Sequence, residues 1–201
     1  MAYPTVSSPY GLQAVNLIGG QVFAGSTRLI PIASAYNTNI FYGDIVAVAT
    51  NGTIVKVTNV GTNADQFPAG VVGVFLGCTY TNPTLKYKLN AQYWPAGTVA
   101  SDAQAYICDD PDALFQVQAN GSVAQTALAG NYGVVQTAGS TTTGDSAIAL
   151  DTTTAGTATT LGFRLVDFVN GPFSTVGDAY TDCIVKFNFG QHSYYNATGV
   201  A

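Results

Sequence analysis

One histidine, three cysteines and a cluster of aspartates are the residues of this 201-residue chain that could do chemistry. An imidazole near neutrality takes and returns a proton, so His192 could be the base of a Ser-His-Asp arrangement. It lies in "GQHSYYNATGVA", where no serine or aspartate partner is singled out, and such tails are often poorly fixed. His192 therefore reads as a surface residue of a tail. Cys78, Cys108, Cys183 and His192 could be written as a Cys3His zinc set, but zinc ligands arrive in pairs two to four residues apart and no such pair exists. An odd number of widely spaced cysteines also argues against a disulfide framework and for three small buried apolar residues in strands. In "CDDPDALF", Asp109, Asp110 and Asp112 crowd one turn, yet the ligand alternation and glycine of a calcium loop are missing. A turn capped by its own carboxylates is the better reading. The chain is expected to carry no metal or cofactor and not to be an enzyme.

The elements that would have to position such groups are written in the composition. Charged residues are 8% of the chain, against roughly 25% in soluble domains, while apolar residues are 47%. A disordered chain shows the reverse, so this one folds, with a neutral polar surface of Thr, Ser, Asn and Gln. All eleven acids are Asp, Lys and Arg total six, and Gly, Tyr and Phe are abundant. Helix-carrying Glu, Lys, Arg and Met are nearly absent, and strand and turn residues replace them. With a net charge of −5 and dispersed cations there is no footprint for nucleic acid or an anionic membrane. The start lacks a basic region followed by an apolar core, and "GVVGVFLGC" is far short of the roughly 18 residues of a membrane span. The chain is expected to be made in a cytoplasm.

Along the chain, residues 1–20 form a Pro-, Ser- and Gly-punctuated extended arm, and 21–201 a single β-rich domain with a possible subdivision near 108–120. Pro31 demotes "RLIPIA" to an edge or bulged strand. Asn51-Gly52, between "DIVAVA" and "TIVKVT", is a strong hairpin signal. "AGVVGVFLGC" reads as a fully buried strand. In "LKYKLN", Leu85, Tyr87 and Leu89 alternate with Lys86 and Lys88, as in a half-exposed strand. Phe115 and Val117 alternate with Gln116 and Gln118, and Cys183, Val185, Phe187 and Phe189 make one apolar face. "SVAQTALAG", capped by Ser122 and stopped by Gly130, is the one short helix expected. Thr137 to Thr160 holds ten threonines and reads as a loop–strand–loop excursion, with "SAIAL" as the strand and "STTTG" and "DTTTAG" as turns.

The strings "SSPYGLQAVNLIGGQVFAGSTRLIPIA", "IFYGDIVAVATNGTIVKV", "AGVVGVFLGCTYTNP", "YWPAGT", "CDDPDALFQVQ", "TAGSTTTGDSAIALDTTT" and "IVKFNFGQHSY" resemble structural proteins of tailed phages, notably cyanophages, that act as head-decoration or capsid cement proteins. The order of strand, "GD" strand, "NG" turn, strand, "AGVVGV" and "YKLNAQYWP" is similar, more weakly, to the small decoration proteins of lambdoid heads, whose fold is a β-tulip. Together with the composition, this gives an all-β expectation: a β-barrel or β-tulip, or a sandwich-like domain, with an extended N-terminal arm and at most one short helix. The resemblance implies a virion protein on the outer capsid surface that binds and stabilises the expanded shell. It implies the major capsid protein as partner and a homotrimer as assembly. Tyr3, Pro4, Val6, Tyr10 and Leu12 of the arm are the expected contacts to capsid or to a neighbouring copy. The alternatives are another virion binding part, such as a head fibre or a host-surface glycan binder, and an enzyme of the serine- or cysteine-dependent type.

Overall fold

Strand chemistry dominates the computed structural model, which describes residues 6–200. The strands are β1 (Gln13–Leu17), β2 (Arg28–Pro31), β3 (Ile45–Val48), β4 (Ile54–Lys56), β5 (Val71–Thr81), β6 (Lys88–Ala91), β7 (Gln104–Cys108), β8 (Ala113–Gln118), β9 (Asn131–Val135), β10 (Ala149–Gly156), β11 (Phe163–Phe168) and β12 (Asp182–Phe187). They make two antiparallel sheets. The first runs β1-β8-β12-β11-β9-β10; the second runs β2-β7-β5-β3-β4, with β6 added on β5. The all-β expectation holds in its sandwich-like form. A bridge from Leu150 in β10 to Ala119, just past β8, curls the first sheet strongly, but neither sheet closes into a barrel.

Alternation explains the first sheet. Ala113, Phe115 and Val117 of β8, Cys183, Val185 and Phe187 of β12, and Phe163 and Leu165 of β11 are all buried. They meet Ile45, Val71, Val74 and Cys108 of the second sheet in one apolar cluster. Each large side chain buried there stabilises the fold by roughly 1.5–3 kcal/mol. The chain passes from second to first sheet at the turn Asp109–Asp112, and this shared cluster spans both sides of that crossing. β5 is buried on both faces, as its near-continuous apolar run requires. Its other face carries a second cluster around Phe75, Trp94 and Ile107. Trp94 is wholly buried, donates from Nε1 to the Tyr36 carbonyl (3.1 Å) and meets Tyr80 edge to face.

The hairpin β3–β4 turns at Asn51-Gly52 with Gly52 at φ +75°, and the Asn51 side chain accepts from Thr53. β2 with Pro31 is an edge strand, as expected. Several local expectations fail, each for a physical reason. β1, placed in the extended arm, pairs with β8 and is part of the first sheet, because Leu12 before it is a core side chain. Leu85 and Tyr87 are exposed and the strand begins only at Lys88: Asn82 Oδ1 caps the N–H groups of Thr84 and Leu85, and Lys86 takes φ +59°. The expected helix is a single 3₁₀ turn, Gln125–Ala127, with no buried residue; the Ser122 hydroxyl donates to Gly177 instead of capping. "DTTTAG" is not a turn but most of β10, whose register shifts between Asp151 and Gly156. The other threonine triplet, Thr141–Thr143, does turn, closed by Gly144 N–H to the Ser140 carbonyl (2.8 Å).

Candidate contact surface

The described arm residues occupy very different environments. Tyr3 and Pro4 lie outside the described residues. Val6 is 65% exposed. Tyr10 is pinned to its own sheet: its hydroxyl donates to Asp182 Oδ1 (2.9 Å) and accepts from Gln116 Nε2 (2.9 Å). Burial and the Asp182 carboxylate push the Tyr10 phenol far up, so it stays a donor. Leu12 is fully buried, a correction to its expected role, since it has no surface for a neighbour. It seats there because its N–H donates to the Gly43 carbonyl (3.0 Å), and Gly43 (φ +88°) has no Cβ; one would stand 2.9 Å from the Leu12 nitrogen.

A surface rich in exposed aromatic rings lies elsewhere. Where β12 ends, Phe189 is 77% exposed, a correction to its expected place on the inward face. It stacks on Tyr195 at 6.0 Å, and Lys186 lies over the Tyr195 ring. Ile18, Arg164, Val166 and Asn188 complete a groove of about 210 Å³ with these side chains. Beside it, Arg28 donates to the Tyr194 hydroxyl (2.5 Å), which donates to Asp109 Oδ2 (2.7 Å). Lys186 pairs with Asp112 Oδ1 at 2.5 Å and holds that carboxyl below its usual range. Three of the six cationic side chains, Arg28, Arg164 and Lys186, thus stand around exposed aromatic rings. Exposed aromatic rings and arginines are the residues that protein interfaces favour.

The aspartate cluster is a capped turn: Asp109 faces Tyr194 and Arg28, Asp110 accepts from the Asp112 N–H (2.8 Å), and Asp112 faces Lys186. Among the described residues no three His, Cys, Asp or Glu side chains gather as a metal site. Cys78, Cys108 and Cys183 are free and buried in β5, β7 and β12, and burial pushes each thiol up to about 12. His192 is not a surface tail residue but 1% exposed. Its Nε2 lies 3.0 Å from the Val72 carbonyl and its Nδ1 accepts from the Tyr194 N–H (3.2 Å), so neither nitrogen is free to take a serine proton.

Sequence reasoning missed one buried polar hub. Asp44, fully buried, accepts from Lys56 Nζ (2.7 Å), Ser146 Oγ (2.6 Å) and the Phe41 N–H (2.8 Å). It ties the β3–β4 hairpin to the segment before β10. The signal was present: an Asp in "GDIV" and a Lys in "TIVKV" are conspicuous in a chain so poor in charge. The arrangement holds structure, since both carboxylate oxygens of Asp44 accept from internal donors. No family model, curated protein or solved structure matches the chain.

Proposed function

We propose that the chain is a structural virion protein, not an enzyme, which binds the outer surface of an expanded phage capsid and stabilises it as a decoration or cement protein. The observation that carries the reading is the aromatic and cationic groove formed by Phe189, Tyr195, Ile18, Lys186 and Arg164 on an otherwise acidic, charge-poor protein. The string resemblance over nearly the whole chain supports it. The major capsid protein is the partner, and copies associate as a homotrimer. The mechanism is physical. A ligand that binds one state of a shell and not the other stabilises that state by mass action, by about 2.7 kcal/mol per site at a hundredfold excess over Kd. A shift between states comes only from such differential affinity.

The test is co-sedimentation of the purified chain with expanded and with unexpanded shells that lack it. Binding to expanded shells alone is expected, and Phe189→Ser should weaken it at least tenfold. Equal binding to both shells, or to neither, sinks the proposal. The same groove gives a second reading, a host-surface glycan binder, because an exposed ring beside hydrogen-bonding side chains suits a sugar face. A glycan screen in which one sugar binds and Phe189→Ser abolishes it would favour that reading instead.

A further inference from the structure

Residues 188–200 form a strap that bridges the two sheets. It leaves β12 with Asn188 Nδ2 donating to the Leu161 carbonyl (3.1 Å). It then reaches β5 through His192 and the Asp109–Asp112 turn through Tyr194 and Tyr195. Val200 sits against Gly70, where an added Cβ would lie 2.7 Å from its methyl group. His192 is the innermost of these ties. Its ring packs edge-on against Phe187 (5.5 Å) and Tyr194 (4.9 Å). The Val72 carbonyl can only accept, so Nε2 carries the proton. The Tyr194 N–H can only donate, so Nδ1 must present a lone pair. One neutral tautomer satisfies both. A second proton would point Nδ1–H at the Tyr194 N–H, replacing a hydrogen bond with two opposed donors in an apolar enclosure.

We propose that the strap is an acid-released latch: protonation of His192 is incompatible with the seated strap, so as pH falls it unseats from β5. Tyr194 and Tyr195 then leave the Asp109–Asp112 turn, and the groove loses the wall that Tyr195 forms. The charges around the ring do not reverse this. Burial lowers the His192 pKa and outweighs both Val72 and the carboxylates Asp109 and Asp110 of the facing turn, which favour the proton; Lys186 of β12 also opposes it. The sign follows. The unseated imidazole titrates near its ordinary value of about 6.5 and the seated one lower, so the unseated state binds more protons. Closure is at full strength above pH ~6.5 and weakens as pH falls from there towards the seated value. Asp112, held low by Lys186, stays ionised over the upper part of that window.

The inference stands on the strap's geometry and not on the capsid reading, and it is tested on the isolated chain. Hydrogen–deuterium exchange of the peptide covering 190–200 is compared at pH 7.5 and pH 5, corrected for intrinsic exchange and referenced to β5. Strap protection is expected to fall several-fold at pH 5 in the wild type. In His192→Gln, which offers Val72 a donor but takes up no proton, strap protection is expected to be the same at both pH values, whether its strap is seated or open. Unchanged protection in the wild type, or an equal acid loss in His192→Gln, overturns the latch. Shell binding plays no part in either readout, so failure there would leave this result standing.

Discussion

Asp44 and Lys56 form an ion pair whose members differ in access to water: the carboxylate is fully buried, and the lysine side chain is 12% exposed. Removing one partner of such a pair typically costs about 3–5 kcal/mol. Asp44→Ala should fall near the lower end, about 3 kcal/mol, since Lys56 retains a path to solvent. Urea denaturation measures this, and an unchanged midpoint would contradict the hub's role. The cysteines give a second residue-scale expectation. Thiols pushed to about 12 inside strands should not react with a thiol reagent at pH 8 in the native protein, while all three should react in denaturant. Rapid labelling of any one under native conditions would show that its strand opens. The burial of these cysteines was legible in the sequence, because an odd, dispersed set left little else for them to do. The environment of His192 was not. Sequence position suggested a loose tail, whereas hydrogen bonds to Val72 and Tyr194, one of them 120 residues away in the chain, decide its burial.

Strands were legible where alternation and turn chemistry agreed. Phe115 and Val117, Cys183 to Phe187, and the Asn51-Gly52 hairpin all fell where the pattern put them. Alternation carries no mark of where pairing stops, however, so Phe189 continues the pattern in sequence and leaves the sheet in space. Local hydrogen bonding can also override the pattern, as Asn82 does ahead of β6. The threonine run is the opposite case. Its triplets look alike, but Asp151–Thr154 are held in β10 by Asn120, whose Oδ1 accepts from the Thr152 N–H (2.9 Å), while Thr141–Thr143 have no strand to join. Within β5, Gly73 takes φ +146° opposite β7, and an added Cβ would stand 2.0 Å from the Cys108 carbonyl oxygen. Gly73→Ala should therefore destabilise the chain by at least about 2 kcal/mol. The measurement is the denaturation midpoint, and a change within experimental error would mean that β5 and β7 can separate freely at that point.

At the scale of the molecule, one cluster takes side chains from both sheets, and the strap ties them again from outside. The possible subdivision near 108–120 falls at the crossing between sheets, but the shared core predicts that they melt together. Scanning calorimetry should record a single transition with calorimetric and van't Hoff enthalpies in agreement. Two resolved transitions would mean that the sheets are energetically separate. What no string pattern supplied is the surface. The groove of Ile18, Lys186, Arg164, Phe189 and Tyr195 gathers residues from widely separated parts of the chain, and only the fold brings them together. The proposed role rests on that surface meeting a shell. The most direct measurement is a cryo-EM map of expanded shells saturated with the chain. It should reveal a two-sheet sandwich on the outer surface with Phe189 and Tyr195 turned towards the capsid subunits. Shells without added density, or with that groove facing solvent, would contradict the account.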